Sequence, residues 1–429
     1  MNISDIYDQF IKGHPVTTDS RNIKKGAVFI ALKGENFDGN RFAASALENG
    51  AILAVIDDKS YRADDRYLVV PDTLIFLQQV AAYHRRRLKI PILGITGTNG
   101  KTTTKELCQA VLSKRFRTFA TRGNYNNHIG VPLTLLEMNT DTEFGIVEMG
   151  ANHPGEIKTL CDIADPDFGI LTNIGQAHLE GFGSYENIVS TKKQLYDHIR
   201  KKAGKLFVNA DDPLLMKLSE GQERITYGRC GQEIKGEIKQ AIPYLVYALH
   251  TLQGDLYIRT RLTGGYNLDN ALAASCVGKY FGVGPLDIQQ AIEQYRPSNM
   301  RSQLIRTGKN LLILDAYNAN PSSMSAALSH FSEMQAENKI AILGEMLELG
   351  AESRKAHQHL IDSLLPLHLR QVLLVGNNFE PCTYNHTFIR YFPDTDALIR
   401  YLQENPPVSS CIFIKGSRGN KLERITEYL

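Results

Sequence analysis

Hydrophobic and polar positions along the chain fall into three successive patterns. From Met1 to Arg87 there are short β-type runs, Ala27–Leu32, Ala51–Ile56 and Tyr67–Val70. A helix is expected at Asn40–Glu48, between the first two, and another at Thr73–Arg87. The second of these ends in Arg85, Arg86, Arg87 and Lys89, read as a solvated helix C-terminus where cations suit the dipole. From Lys89 to Arg296 strand-like and helix-like segments alternate, with apolar strands expected at Ile90–Ile95, Gly145–Met149, Phe168–Leu171 and Lys205–Val208. The stretch Lys235–Leu262 is less regular and reads as an antiparallel β insertion or edge, and Leu268–Phe281 as an Ala-rich helix. Beyond Pro297 the alternation resumes. Strands are expected at Leu311–Leu314, Ile340–Leu343, Val372–Val375 and Cys411–Ile414, with helical stretches such as Ser322–Glu337 and Ser353–Leu365 between them. Such alternation predicts an α/β protein with mostly parallel sheets flanked by helices. Three domains are expected, 1–88, 89–296 and 297–429, with no short-period repeat.

Composition changes this picture little. A length of 429 residues fits two to four domains at roughly 100–200 residues each. With 43% hydrophobic and 22% charged residues, the chain can bury sizeable cores, and general disorder is excluded. The 48 basic and 46 acidic side chains leave a net charge of +2, so no electrostatic footprint for nucleic acid or an anionic membrane is present. A local basic pocket for a small anion remains compatible. No apolar run approaches the about 20 residues of a bilayer span. The segment Met1–Asp5 has neither the basic start nor the apolar run of a signal peptide. Six scattered cysteines form no Cys-x-x-Cys pair, which weakens zinc and redox readings and suits reduced thiols in a cytoplasmic protein.

The strongest local signal is Gly94-Ile95-Thr96-Gly97-Thr98-Asn99-Gly100-Lys101-Thr102-Thr103-Thr104. A buried strand runs into it and a helix, Lys101 to about Arg115, follows. Glycines let backbone N–H groups turn towards an anion, Lys101 adds charge near the β- and γ-phosphates, and the Thr102 hydroxyl is placed for Mg²⁺. Ile95 stands where the general pattern has its first glycine, so the signal rests on Gly97-x-x-Gly100-Lys101-Thr102 in its strand–loop–helix context.

Glu148 ends a predicted strand, and His178 lies just beyond the next. Strand C-terminal ends converge on the ligand crevice of an open α/β sheet. A carboxylate and an imidazole beside a phosphate loop suit a divalent metal; Mg²⁺ favours oxygen ligands, whereas Mn²⁺ accepts both. Read alone, His178 is a hydrogen-bonded loop histidine.

Together these features resemble the Mur ligase superfamily, the ATP-dependent amide ligases of cell-wall precursor synthesis. The resemblance covers essentially the whole chain. It rests on Thr18–Arg21, Gly94–Thr104, Asn124–Leu133, Asn173–Glu180, Asn267–Asn270, Asp315–Pro321, Leu343–Gly350 and Lys415–Gly419. The phosphate loop would fit any member, folylpolyglutamate synthases included. The Tyr317–Pro321 and Met346–Gly350 runs are similar to the D-alanyl-D-alanine-adding branch, and the Asn-Pro-Arg signature of the diaminopimelate-adding branch is missing.

The resemblance implies roles. Gly97, Thr98, Asn99, Gly100, Lys101, Thr102 and Thr103 would cradle ATP, with Lys101 on the phosphates and Thr102 on a first metal. Glu148 and His178 would hold a second. Asn270 matches the position that contacts adenine, Asp315 the one that reaches the ribose, and Arg301 the one near the γ-phosphate. Ser20 and Arg21 match the motif associated with UDP, and Asn124, Asn126 and Asn127 the part that meets the muramoyl-peptide. Lys192 matches a lysine that the family carbamylates with CO₂, converting a metal-repelling cation into an anionic oxygen ligand. From the residues alone Lys192 is a solvated lysine beside Lys193.

Asn318 and Asn320 would serve a dipeptide's polar groups, and Met346 and Leu347 its two methyls. The other reading is a turn before Pro321 and core packing. Departures from the family pattern are Thr191-Lys192-Lys193-Gln194 around the lysine, Tyr266 for a histidine, Met300 for a glycine, and Leu314-Asp315 for paired acids.

The implied chemistry has two steps. The terminal carboxylate of a UDP-N-acetylmuramoyl-tripeptide takes the γ-phosphoryl group of ATP. The amine of D-alanyl-D-alanine then attacks the acyl phosphate. Lys101, Arg301 and the metals would neutralise charge and align the reactants, with Lys101, Lys192, His178 and Arg301 central to catalysis. The base that deprotonates the amine and the third peptide residue, meso-diaminopimelate or lysine, stay open. A cytoplasmic monomer is expected. Another amino-acid-adding ligase, a nucleotide-binding scaffold, and a simple ATPase or kinase are the rival readings.

Overall fold

A computed structural model describes residues 2–298 and 300–429. The chain builds three sheets in succession. The first is parallel throughout, in the order Val16–Thr17, Val28–Ile30, Leu53–Ile56, Tyr67–Val69. A small hairpin, Lys33–Gly34 with Phe37–Asp38, stands apart from it. Asn40–Glu48, expected as one helix, is a 3-10 turn at Gly39–Phe42 running into an α-helix at Ala43–Glu48.

The second sheet has nine strands. From one edge they run Gly254–Arg259, Val246–Thr251, Ile234–Gln240, Arg224–Gly228, Lys205–Asn209, Phe168–Leu171, Ile92–Thr96, Phe144–Glu148 and Thr118–Ala120. The first three are antiparallel to one another, as the irregular 235–262 stretch suggested, and the rest are parallel. Parallel register sets Glu148 opposite Ile95 and Leu171 opposite Thr96. Three strand ends therefore reach the same level, where ligands of open α/β sheets bind. Helices Lys101–Leu112 and Asn267–Tyr280 cover one face, burying Leu107, Cys108, Val111, Leu268 and Leu272. Helices Gly130–Glu137, Glu156–Ala164 and Tyr185–Lys201 cover the other.

The third sheet runs Gln303–Arg306, Leu311–Asp315, Cys411–Lys415, Lys339–Gly344, Gln371–Val375, Ile389–Phe392, with only the first strand antiparallel. Cores lie on both its faces. The helix expected to reach Glu337 spans Pro321–Glu333. Among the described residues, no helix is long and apolar enough to cross a membrane.

One residue of the basic run is not solvated. Arg85, at the end of helix Thr73–Arg87, is 6% exposed. It donates to the carbonyls of Ala164 (3.0 Å), Leu88 (2.9 Å) and Asp165 (3.0 Å) and to the Asp167 carboxylate (2.8 Å). Burial is tolerable because the planar guanidinium finds an oxygen in each direction. The contact ties the first sheet's last helix to the second sheet.

Candidate active site

A cleft of about 930 Å³ opens above the strand ends of the second sheet. Its walls come from the phosphate loop, the Asn124–His128 segment, and Arg301 and Asp315–Asn320 of the third region, with Leu74 and Gln78 of the first at its edge. The loop leaves the Ile92–Thr96 strand and turns through Gly97 (φ 147°) and Gly100 (φ 79°) into the helix beginning at Lys101. A Cβ at Gly100 would lie 2.5 Å from Asn270 Oδ1, so only glycine fits.

The loop is held from below. Thr98 N–H donates to Asn173 O (2.9 Å) and Asn99 N–H to Asn173 Oδ1 (3.0 Å). These two amides shape the loop, so they are not free donors for phosphate as the sequence suggested. The first intrahelical bond is Thr104 N–H to Gly100 O (2.8 Å), which leaves the amides of the preceding turn without intrahelical partners. Asn270 also buttresses the loop, accepting from Thr104 Oγ1 (3.0 Å) and donating to Asn267 Oδ1 (2.9 Å).

Lys101 Nζ folds over its own loop, donating to Gly97 O (2.8 Å) and Thr98 O (3.0 Å). Burial, with the Arg301 charge, pushes its pKa down to about 8, against the opposing pull of Glu148. Glu148 is 1% exposed. Its Oε1 accepts from Thr102 Oγ1 (3.2 Å) and Asn126 Nδ2 (2.9 Å), and Lys105 Nζ stands 3.6 Å from Oε2. Among the described residues, Oε2 has no hydrogen-bond partner. A buried carboxylate oxygen left open beside a threonine hydroxyl fits a divalent cation.

Lys192 is not a surface lysine. It is 3% exposed, and Nζ donates to Gly97 O (3.0 Å). Burial, and next the Lys101 charge, hold its pKa well below the usual lysine range. The reason lies in the periodicity of its helix. Ile188, Thr191, Lys192, Leu195, Tyr196 and Ile199 are all buried, at spacings that define one apolar face.

His178 occupies a left-handed conformation (φ 53°) beyond the Phe168–Leu171 strand. Its Nδ1 meets the carboxylate of Glu348, also left-handed (φ 64°), from the third region. That hydrogen bond holds the Glu348 carboxyl below its ordinary range. The third region also touches the phosphate loop directly. Asn320 Nδ2 donates to Asn99 Oδ1 (2.8 Å), and Asn99 Nδ2 to Ser322 Oγ (3.0 Å).

Asp315 pairs with buried Lys415 (2.6 Å) and accepts from Ser302 N–H (3.3 Å). Arg301 stacks on Tyr317, Cζ to ring centroid 3.8 Å. Met300, where the family carries glycine, keeps glycine's backbone at φ 56°.

Other expected residues sit differently. Asn320 is chiefly a helix cap, accepting from Ser323 N–H (2.9 Å) ahead of Pro321; Asn318 is exposed in the cleft. Met346 is a core residue at 1% exposure, while Leu347 is exposed. Asn127 Oδ1 accepts from Ile129 and Gly130 N–H (3.1 and 2.8 Å) in the turn leading into the next helix, and Asn124 lines the cleft. Ser20 and Arg21 lie on the first region outside the cleft's walls, with Arg21 paired to Asp19 (2.8 Å). Lys105 and Lys415 were given no role on sequence. Lys105 follows Lys101 by four residues on one helix, and that spacing puts both on one face.

A phosphate loop facing a second α/β unit across a polar cleft fits a nucleotide-dependent ligase, and the chain belongs to the Mur ligase family. Residues 12–85 match the Mur ligase family catalytic domain, 95–278 the Mur ligase middle domain, and 300–418 the glutamate ligase domain of the Mur ligases. The chain is 34% identical to the UDP-N-acetylmuramoyl-tripeptide–D-alanyl-D-alanine ligase of Bacillus subtilis, over 97% of this chain and 93% of that protein. Among solved structures it is similar to MurF from Acinetobacter baumannii (33% identity, TM-score 0.87, 96% and 92% of the two chains). The MurF ligase of Thermotoga maritima in complex with ADP is similar too (28% identity, TM-score 0.84, 97% and 96%).

Proposed function

We propose that the chain joins D-alanyl-D-alanine to UDP-N-acetylmuramoyl-tripeptide at the expense of ATP, a step of peptidoglycan precursor synthesis. The observation that carries this reading is the cleft itself, in which a phosphate loop, a buried carboxylate and Arg301 of the third region share one space. Full-length similarity to ligases of that name supports the choice of substrates.

In this reading a carboxylate oxygen of the tripeptide attacks the γ-phosphorus, and the bond to ADP breaks. The amine of D-alanyl-D-alanine then attacks the acyl carbon. The tetrahedral adduct loses a proton from nitrogen and expels phosphate. Two anions must meet in the first step, so charge neutralisation dominates. Lys105 Nζ stands 3.6 Å from Glu148 Oε2, Lys101 and Lys192 both donate to Gly97 O, and Arg301 lines the same cleft, a set of cations suited to polyphosphate. Thr102, Glu148 and His178 would hold Mg²⁺ or Mn²⁺, which would supply further positive charge to the phosphoryl oxygens. Lys192 suits carbamylation because its suppressed pKa leaves more of the neutral amine that attacks CO₂, with loss of one proton. Asp315 would meet the ribose, and Asn270 would shape the adenine end.

The three domains, 1–88, 89–296 and 297–429, divide the work: the first for the UDP end through Ser20 and Arg21, the second for phosphates, the third closing over ATP. Water is thereby kept from the acyl phosphate. The enzyme is read as a cytoplasmic monomer. The test is kcat/KM for D-alanyl-D-alanine against D-alanine, L-lysine and D-glutamate at fixed ATP and UDP-tripeptide. A preference of several orders of magnitude for the dipeptide is expected, because unpaired buried polar groups reject smaller amines. Comparable values would move the chain to another branch of the family.

A further inference from the structure

Tyr317 lines the cleft two residues after the Leu311–Asp315 strand. Its ring carries two guanidinium groups. Arg301 Cζ lies 3.8 Å from the centroid and Arg418 Cζ 5.5 Å, both within the about 6 Å over which a ring face attracts a cation. Among the described residues, Arg301 Nε is buried without a hydrogen-bond partner. Asp315, which accepts from the amide of the next residue, Ser302 (3.3 Å), is already paired with Lys415 (2.6 Å). The backbone is left-handed on both sides, at Met300 (φ 56°) and Ser302 (φ 49°), which fixes the direction in which the Arg301 side chain leaves the chain. Arg418 Nη1 also touches Met300 Sδ (3.8 Å), so the same cluster reaches the preceding residue.

We propose that Tyr317 is a positioning residue for Arg301, its ring face holding the guanidinium in the cleft with the N–H donors free for the terminal phosphoryl group of a nucleoside triphosphate. The inference rests on the ligase reading only in assigning Arg301 to that phosphoryl group. A carboxylate could hold Arg301 equally well, but it would take up the donors and cancel the charge that the phosphate needs. An aromatic face takes none of the in-plane donors. The contact is made by the ring, so phenylalanine should replace Tyr317 and an aliphatic side chain should not.

The experiment is calorimetric titration of the full chain with Mg²⁺ and either ADP or a non-hydrolysable ATP analogue. Tyr317→Phe should bind both as the wild type does. Tyr317→Leu should lose roughly tenfold in affinity for the analogue, the scale of a charge-assisted contact, and keep its ADP affinity. Should Tyr317→Leu not fold, Tyr317→Met takes its place with the same two ligands. Equal loss of both nucleotides would make Tyr317 merely structural and overturn the proposal. So would an aliphatic variant that keeps analogue affinity, or a Phe variant that falls as far as Leu. Binding is read without amide formation, so a wild type that forms no amide would strike the ligase reading and leave this comparison standing.

Discussion

Glu148→Gln separates the two tasks of one buried carboxylate. Glu148 and Lys105 are each 2% exposed at the side chain and stand 3.6 Å apart. Removing the negative charge leaves the Lys105 ammonium buried without its counter-ion. Breaking a buried pair in this way costs about 3–5 kcal/mol. The glutamine amide can still meet Thr102 and Asn126, so the lower end, about 3 kcal/mol, is expected. For a unit of this size, at about 2–4 °C per kcal/mol, the unfolding midpoint should fall by roughly 6–12 °C. Adding Lys105→Met removes both charges, and the double variant should recover to within about 1 kcal/mol of wild type. Turnover should not follow. Both variants lack the carboxylate beside Thr102 and should stay roughly 10²–10³-fold down. Thermal melts and amide-forming assays on the wild type, the single variants and the double variant read the two effects separately. An unchanged midpoint in Glu148→Gln, or restored turnover in the double variant, would refute the reasoning.

Lys192→Ala should be nearly inactive, with partial rescue by a small carboxylic acid that returns oxygen ligands to the vacated space; a fully active variant would remove Lys192 from the site. Gly100→Ala and Gly155→Ala share nearly the same left-handed backbone, φ 79° and 85°, but only the first adds a collision, with Asn270. Each should cost about 1–2 kcal/mol from the backbone, while Gly100→Ala alone should also weaken nucleotide binding; equal nucleotide affinities would contradict the cradle. His84 and His357 are held neutral by burial, with pKa values below the ordinary one. Their contribution to stability is therefore complete above about pH 6.5 and lost as pH falls below it, because the unfolded chain binds more protons there. Melts between pH 7.5 and 5.5 should show a falling midpoint, with a shallower slope in His357→Gln, whose Nε2 accepts from Met346 N–H (3.0 Å); identical slopes would argue against this source.

What the sequence disclosed followed the range of each interaction. The phosphate loop was legible because its chemistry lies within eight residues, 97–104, between a strand and a helix that their own periodicity announces. The sheets followed from buried apolar runs, but short edge strands such as Thr118–Ala120 and Gln303–Arg306 were missed, having few apolar residues to mark them. Lys192 was misread from the residues alone, although the spacing Ile188, Thr191, Leu195, Tyr196, Ile199 already placed it on the buried face. Arg85 likewise shares its helix's buried face with Leu77 and Ala81, but its four oxygen partners, three of them about 80 residues away, could not be read locally. The capping role of Asn320 follows a local run, with Pro321 at the first helical position and Ser323 three residues on. The pairing of Glu348 with His178 and the burial of Met346 depend on how the third region meets the second or on its own core, and no local pattern encodes them.

The central claim is that ATP activates a carboxylate which an amine then captures. It is tested most directly by following the oxygen atoms. UDP-tripeptide labelled with ¹⁸O in its terminal carboxylate is incubated with ATP, Mg²⁺ and D-alanyl-D-alanine, and the released phosphate and the peptide product are weighed by mass spectrometry. The account predicts one ¹⁸O carried into each phosphate and one new amide formed for each ADP. Phosphate free of label, released whether or not the dipeptide is present, would mean that water takes the phosphoryl group and would contradict the account.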